Sequence, residues 1–309
     1  MIQIERLRKC YNELVAVDDI SFDVHDGEIL GLLGPNGAGK TTTISMICGV
    51  LQPDSGRVIV DECNIWVEPK KVKRQLGVVP QEIAVYEDLT ARDNLSFWGS
   101  LYGLSGPELN HRINETLSRV GLADRAGDKV KTFSGGMKRR LNLCMGLLHR
   151  PKFLLLDEPT VGIDPQARLN ILDVIREAAA AGTTVLYTTH YMDEAEQLCD
   201  RIAIIDHGRI LALGTLPELT RRAGEAEVLR LTGPLNDESV RERLAAIPGT
   251  RILGLGEDSA VLAIESGGPG LLEILPRVLD ADLGIEDVSI QRPNLQSVFI
   301  ALTGRELRD

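Results

Sequence analysis

The sequence predicts an α/β protein whose larger, first part has a mostly parallel sheet, followed by a smaller α+β domain. Two observations lead to this prediction. Short apolar runs alternate with segments of helical pattern up to about residue 219, and beyond that point the order of elements changes. The runs are apolar throughout, which is typical of strands buried on both faces of a parallel sheet. They cover residues 28–34, 75–80, 152–159, 183–190 and 200–206.

Segments of helical pattern separate these strands. Residues 41–51 follow the first strand, and residues 168–182 show helical spacing that ends in a glycine, a common helix stop. A mostly helical insert is predicted from about residue 85 to 148, between the second strand and the third. The parallel sheet is therefore expected to carry helices between its strands.

After about residue 219, the sequence pattern predicts a strand, a helix, two strands, a helix and a strand. This is the ferredoxin-like split βαβ order. A last helix follows Pro293. Two domains are predicted from this change, residues 1–219 and residues 220–309. We identify no nucleophile, metal-binding cluster or glycine-rich loop in the second, so the chemistry is expected in the first.

Composition excludes several classes of protein. The chain has 309 residues, is 43% hydrophobic and carries a net charge of −11, so it can bury a sizeable core and lacks the basic excess of a nucleic-acid binder. Its five cysteines are odd in number and scattered, which favours reduced thiols in the cytosol. No secretory signal and no apolar segment of about 18 residues is present, so action at a membrane requires a separate partner.

The strongest motif is a phosphate-binding loop. Residues 34–41 match G-x-x-x-x-G-K-[ST] and lie between a predicted strand and a predicted helix, where an ordinary glycine-rich turn is a poor alternative. Glycines let backbone N–H groups approach the phosphates, Lys40 reaches the β- and γ-phosphates, and the Thr41 hydroxyl can ligate Mg²⁺. The predicted nucleotide-binding residues are Gly34, Pro35, Asn36, Gly37, Ala38, Gly39, Lys40, Thr41 and Thr42.

An acidic pair ends the strand at residues 153–156. Asp157 can hold Mg²⁺ through water, and Glu158 can accept a proton from a water that attacks the γ-phosphate. On its own, such a pair would indicate a plain exposed acidic turn. In a chain that also contains a phosphate-binding loop, it indicates a hydrolysis site. Gln81 and His190 each end a predicted strand, so both are expected at the sheet edge where ligands of open α/β sheets bind.

These motifs, in this order and spacing, resemble the ATP-binding cassette (ABC) family over roughly residues 2–219. The turn VGIDP at residues 161–165 belongs to the same pattern, and the segment FSGGM at residues 133–137 resembles the LSGGQ signature of the family. Phe133 and Met137 depart from the usual leucine and glutamine, so a hydrogen bond from that glutamine side chain is absent. The serine and both glycines of the signature remain, which favours an active ATPase.

The resemblance implies a cassette with an antiparallel edge sheet, ATP and Mg²⁺ as ligands, and a homodimer that encloses two ATP molecules. Tyr11 is expected to stack on adenine, and Thr41, Gln81 and Asp157 to hold Mg²⁺. Glu158, His190 and Lys40 are implied as catalytic residues. Asp164 would couple the two sites. The signature residues would contact the γ-phosphate of ATP bound to the opposite subunit; they are Ser134, Gly135, Gly136 and Met137.

Within the family, the sequence resembles the daunorubicin-resistance-like ATPase subunits, which serve separate integral-membrane permeases of the ABC-2 type. This resemblance rests on three segments of the sequence, which are FSGGMKRRL, DEPTVGIDPQAR and the closing segment RPNLQSVFIALTGRELRD. It implies export of drugs or other hydrophobic compounds from the cytoplasmic face of a bacterial or archaeal membrane. The alternatives are the ATPase subunit of a nutrient importer, a soluble cassette protein of translation or DNA repair, and a non-hydrolytic regulatory module.

Overall fold

The structure, a computed structural model, describes residues 1–222, 225–235, 238–256, 258–265, 269–280, 284–291 and 294–303. The chain forms two compact units. The first ends at Ala212 and the second begins at Leu213, a few residues before the boundary predicted from sequence.

The first unit contains an antiparallel sheet in the order β2-β1-β4-β5. Its strands are β1 (Ile2–Tyr11), β2 (Leu14–Val24), β4 (Ser55–Val60) and β5 (Cys63–Asn64). This is the antiparallel edge sheet that the resemblance implies.

The central sheet of the first unit has the order β10-β9-β3-β8-β7-β6. Its strands are β3 (Ile29–Leu33), β6 (Leu76–Val79), β7 (Phe153–Asp157), β8 (Thr184–Thr189), β9 (Arg201–Asp206) and β10 (Arg209–Gly214). The pairs from β9 through β3, β8 and β7 to β6 are all parallel. Every residue of β3, β7 and β8 is buried. The mostly parallel core predicted from the five apolar runs is confirmed.

Seven α-helices accompany these sheets within the described first unit, and three of them, with the short 3-10 helices Ala123–Arg125 and Val130–Thr132, form the predicted insert between β6 and β7. The helices are α1 (Lys40–Ile47), α2 (Pro69–Lys73), α3 (Ala91–Leu101), α4 (Gly106–Arg119), α5 (Gly135–Leu147), α6 (Pro165–Ala180) and α7 (Met192–Leu198). Insert residues such as Leu95, Leu117 and Leu143 are buried in the same apolar cluster as Leu154 of β7 and Val185 of β8. The insert and the central sheet therefore share one core.

The second unit has an antiparallel sheet in the order β12-β13-β11-β14. With two helices between its strands, this order is the predicted ferredoxin-like one. Its elements are α8 (Leu216–Arg222), β11 (Glu225–Thr232), α9 (Glu238–Ala245), β12 (Thr250–Leu255), β13 (Ser259–Glu265), α10 (Leu271–Asp280), β14 (Asp287–Gln291) and α11 (Leu295–Thr303). Pro293 and residues 304–309 of the closing segment lie outside the described residues.

All five cysteines are free thiols. Cys48, Cys63 and Cys144 are buried, whereas Cys10 and Cys199 are partly exposed. Burial raises the pKa of the Cys48 and Cys144 thiols. It also raises the pKa of the Cys199 thiol, whose sulfur packs against Gly31 although the residue as a whole is partly exposed. Across the part of the chain that the structure describes, none of the helices has both the length and the apolar character needed to cross a bilayer.

Candidate functional site

The loop that joins β3 to α1 is packed tightly on its inner side. Gly39 has a φ of +105°, and a Cβ there would lie 2.5 Å from the Ala16 carbonyl oxygen. A Cβ on Gly34 would lie 2.2 Å from the Ile205 carbonyl oxygen. Both positions therefore require glycine. Gly39 directly precedes α1, whose first N–H groups have no partner within the helix and can bind an anion.

The Lys40 side chain is buried, with 4% of its surface exposed. Its Nζ donates to the carbonyl oxygens of Gly34 at 2.6 Å and Pro35 at 3.0 Å. The same Nζ lies 2.9 Å from Glu158 Oε1. The ammonium group is thus surrounded by oxygen atoms of the loop and by one carboxylate, which places a positive charge at the mouth of the loop.

Asp157 is the last residue of β7, Glu158 directly follows it, and both are buried. Thr188 of β8 fixes the pair, because its hydroxyl donates to Asp157 Oδ1 at 2.8 Å and accepts from the Glu158 N–H at 3.0 Å. Glu158 has a φ of +46°, in the left-handed region that few residues other than glycine adopt. Such conformations persist where the surrounding contacts enforce them, and they concentrate at functional sites.

Three polar side chains converge on the Glu158 carboxylate. Besides Lys40 at Oε1, Gln81 donates from Nε2 to Oε2 at 3.2 Å, and His190 Nδ1 lies 3.3 Å from Oε2. The structure therefore brings together the ends of β6, β7 and β8, as expected from the sheet order. Burial alone would raise the pKa of Glu158, but His190 and the Lys40 ammonium outweigh burial and lower this pKa to about 2.

The pKa of the neighbouring Asp157 changes in the opposite direction. Burial raises the pKa of its carboxyl group, although hydrogen bonds from Thr188 and Thr41 oppose the change. Thr41 and Asp157 thus bring a hydroxyl and a carboxyl group together beside the phosphate loop. Opposite pKa shifts in adjacent carboxyl groups are characteristic of sites where the two groups have different tasks.

A pocket of about 480 Å³ opens over the phosphate loop. Tyr11 stands at its edge, at the end of β1, and is 46% exposed. The lining residues are Tyr11, Leu14, Ala16, Asn36, Gly37, Gly39, Lys40, Thr41, Thr42, Gln81 and Glu158. Most of the predicted nucleotide-binding residues therefore line one cavity, of a size usual for small-molecule sites.

The signature segment lies elsewhere. Within the described chain, Ser134, Gly135, Gly136 and Met137 are not among the residues that line this pocket. Ser134 caps α5 and accepts from the Met137 N–H at 3.3 Å. Asp164 caps α6 and accepts from the Ala167 N–H at 2.9 Å. A Cβ on Gly136 would lie 3.5 Å from Asp164 Oδ2, so the signature segment and Asp164 are neighbours.

Two residues of α5 hold the segment that carries Gln81, and sequence reasoning missed both. Arg139 is buried and donates to the backbone carbonyls of Gln81 and of Val161, the latter at 3.1 Å. Asn142 donates to the Pro80 carbonyl at 3.3 Å and accepts from the Ala84 N–H at 3.2 Å. No local signal marks the two residues, because Lys138 and Arg140 in the same helix are polar as well.

A phosphate loop, an acidic pair at the end of another parallel strand of the same sheet, and polar residues at two further strand ends define a P-loop nucleotide-hydrolysing protein. The model of the ABC transporter family matches residues 17–161. The chain is 44% identical to the linearmycin resistance ATP-binding protein of Bacillus subtilis over 100% of both chains. It is 40% identical to the daunorubicin/doxorubicin resistance ATP-binding protein of Streptomyces peucetius, over 100% of this chain and 94% of that protein. The protein belongs to the ABC transporter family as an ATP-binding subunit.

Similarity in structure agrees with this assignment. A solved structure described as a dimeric post-hydrolysis state of an ATP-binding cassette bound to ADP and Pi aligns with a TM-score of 0.64 and 25% identity. The alignment covers 70% of this chain and 98% of that chain. The family and fold class predicted from the sequence are thus confirmed.

Proposed function

We propose that this protein is the ATP-hydrolysing subunit of an exporter and energises a separate integral-membrane permease of the ABC-2 type. The observation that carries the proposal is the convergence of Lys40, Gln81 and His190 on the Glu158 carboxylate beside a glycine-rich loop. Such an arrangement can hold the phosphates of ATP, sense the γ-phosphate and direct a water molecule toward it.

ATP binding is assigned to the pocket over the phosphate loop. The N–H groups at the start of α1 and the Lys40 ammonium face the phosphates, and the exposed ring of Tyr11 stacks on the adenine. Thr41, Gln81 and Asp157 would hold Mg²⁺, which would neutralise charge on the phosphate oxygens. Among the residues the structure describes, no group of three or more His, Cys, Asp or Glu forms a metal site of its own. This donor set suits Mg²⁺, which takes its other ligands from phosphate and water.

Hydrolysis depends on Glu158 and His190. With a pKa of about 2, the Glu158 carboxylate is a weak proton acceptor while Lys40 is paired with it. When Lys40 turns to the β- and γ-phosphates, its ammonium group no longer lowers this pKa, and the basicity of Glu158 rises. Substrate engagement thus prepares the carboxylate to orient or deprotonate the attacking water, with His190 beside the γ-phosphate.

Two copies of the chain enclose two ATP molecules, each held by the phosphate loop of one copy and by Ser134–Met137 of the other. Two observations support this: the signature segment does not line the pocket of its own chain, and a dimeric cassette structure resembles the chain. Asp164, next to Gly136, links the two sites across the interface. Binding of ATP closes the homodimer, and hydrolysis reopens it.

Export at the cytoplasmic face of the membrane is favoured over import and over non-transport roles. Two relatives that align with the whole chain are named for resistance to linearmycin and to daunorubicin/doxorubicin, and removal of such compounds from the cell explains resistance. The cargo class is therefore drugs or other hydrophobic compounds. Glu158 and Lys40 are both present and in contact, which argues against a non-hydrolytic regulatory module.

The purified full chain should hydrolyse ATP in the presence of Mg²⁺, and Lys40→Ala should lower the rate by about 10²-fold or more. The variant loses the positive charge that stabilises the phosphates during transfer. Phosphate release is the measurement, and Lys70→Ala, at an exposed position of α2, is the matched control. Equal rates for Lys40→Ala and the unmodified chain would contradict the assigned site.

In cells, Lys40→Ala should raise the retention of a fluorescent anthracycline, because export no longer has a supply of energy. Unchanged retention would contradict the export of such drugs.

Replacing Tyr11 with Ala should weaken ATP binding by about 1 to 3 kcal/mol, because the ring no longer stacks on the base. Tyr11→Phe keeps the ring and should bind ATP nearly as the unmodified chain does. Titration with a fluorescent ATP analogue measures both affinities. Equal affinity for the Ala variant and the unmodified chain would show that Tyr11 only packs at the sheet edge.

A further inference from the structure

The carboxylate of Glu194 on α7 is 2% exposed and takes no part in the mechanism described above. It accepts hydrogen bonds from three hydroxyl groups. Thr160 Oγ1 lies 2.7 Å from Oε1, and Thr189 Oγ1 and the Tyr187 hydroxyl lie 2.7 Å and 2.8 Å from Oε2. A buried carboxylate is costly unless it is fully hydrogen-bonded, so these donors account for its presence inside the protein.

The donors come from both sides of the hydrolysis site. Thr160 stands two residues after Glu158, at the start of the segment that leads to Asp164, and it is 1% exposed. Thr189 directly precedes His190, and its hydroxyl also accepts from the Tyr191 N–H at 2.9 Å. One carboxylate thus connects the backbone that follows Glu158 to the backbone that carries His190.

A second line of contacts reaches His190 from the same carboxylate. Arg168 Nε lies 3.4 Å from Glu194 Oε1. The Arg168 guanidinium lies 4.5 Å from the centre of the Tyr191 ring, and that ring lies 4.2 Å from the His190 ring. Arg168 also belongs to the first turn of α6, where its N–H donates to the Asp164 carbonyl at 3.0 Å. Glu194 is therefore connected to His190 and to Asp164 by chains of direct contacts.

We propose that Glu194 is a positioning residue for ATP hydrolysis. Its carboxylate holds Thr160 and Thr189 at a fixed separation, so that His190 stays against Glu158 and Asp164 keeps its place beside the signature segment. The proposal rests on the proposed ATPase function. Its physical basis is that rates of positioned reactions fall steeply when groups move by about 1 Å. Among the described residues, Glu194 is not one of those that line the pocket over the phosphate loop, so its effect reaches the reaction through Thr160, Thr189 and Arg168.

The test replaces Glu194 with Gln, which keeps the size but removes the charge and one of the two acceptor atoms. We expect kcat to fall by between about 10-fold and 100-fold, while ATP affinity and the amount of ATP bound per chain at saturation stay within about twofold of the unmodified chain. Bound ATP per chain counts the folded sites, so slow turnover is separated from loss of folded protein. Asp193→Asn, at the adjacent exposed position of α7, is the matched control and should leave kcat unchanged.

A second pair of variants keeps the test valid if Glu194→Gln does not fold. Thr160→Val removes one donor to the carboxylate at nearly constant volume and should lower kcat by about 3-fold to 10-fold. Thr160→Ser keeps the hydroxyl and should restore most of the rate. If Glu194→Gln folds, the double variant with Thr160→Val should lose less than the product of the two single losses, because both lesions act in one network.

Two results would overturn the proposal. One is an unchanged kcat in Glu194→Gln or in Thr160→Val; the other is a fall in kcat that matches the fall in ATP bound per chain, which shows a purely structural role. Absence of Mg²⁺-dependent hydrolysis by the unmodified chain would instead remove the proposed function on which the inference rests, so the two failures are distinguishable.

Discussion

Replacing Glu158 with Gln should lower ATP turnover by about 10²-fold or more while ATP still binds. The amide keeps the size of the side chain but cannot accept the proton of the attacking water. With a pKa of about 2, Glu158 is ionised at neutral pH, so the substitution also removes a negative charge beside Lys40 and His190. ATP should then remain bound, and a closed dimer should accumulate. Phosphate release and size-exclusion chromatography with Mg-ATP measure the two effects.

The matched control is Glu242→Gln, an identical change at an exposed position of α9 in the second unit. This variant should hydrolyse ATP at the rate of the unmodified chain and should not accumulate as a dimer. A Glu158→Gln variant that stays monomeric with Mg-ATP and hydrolyses ATP at full rate would exclude Glu158 as the catalytic carboxylate.

A mixed dimer of two inactive chains should trap one ATP if the signature segment acts on the nucleotide of its partner, as we propose. One chain carries Lys40→Ala and the other Ser134→Arg, whose bulky charge blocks the signature segment, and both carry Glu158→Gln so that a closed site retains ATP. Each chain alone should trap none. In the mixed dimer, one site combines both lesions, and the other pairs an intact Lys40 with an intact Ser134.

If the signature segment instead served its own chain, every site in the mixture would carry one lesion, and mixing would restore nothing. Pull-down through a tag on one chain, followed by a count of bound nucleotide, distinguishes the two models. Mixed dimers that form normally but hold no ATP would contradict the action of the signature segment across the interface. A homodimer that carries only Glu158→Gln gives the full number of trapped ATP molecules for comparison.

Much of the first unit could be predicted because its signals are local in sequence. The apolar runs specify buried parallel strands, and the spacing from Gly34 to Thr41 specifies a tight loop before a helix. Placement of Gln81, Glu158 and His190 at one edge followed from sheet topology, since parallel strands end on the same side. The ferredoxin-like order of the second unit was predictable for a similar reason, because its elements alternate clearly along the chain.

What could not be predicted depends on contacts between distant segments. Arg139 and Glu194 stand inside short helices, and nothing in the local sequence distinguishes them from exposed polar residues. Their roles emerge only when the fold places Arg139 beside the Gln81 and Val161 carbonyls and Glu194 beside Thr160 and Thr189. The left-handed backbone of Glu158 is equally invisible, because its neighbours in space enforce it. The assigned roles of the individual site residues stay predictions that the proposed variants test.

The state of the five thiols makes this chain suitable for attachment of a spectroscopic probe. Thiol-reactive dyes attack the thiolate, and burial disfavours that form in Cys48, Cys144 and Cys199. Cys63 is also buried, so dyes have little access to its thiol. After replacement of the partly exposed Cys10, a cysteine introduced at an exposed position such as Lys129 should take up a dye in preference to the native thiols. Energy transfer between dyes on two copies would then follow the approach and separation of the subunits during each cycle of ATP hydrolysis.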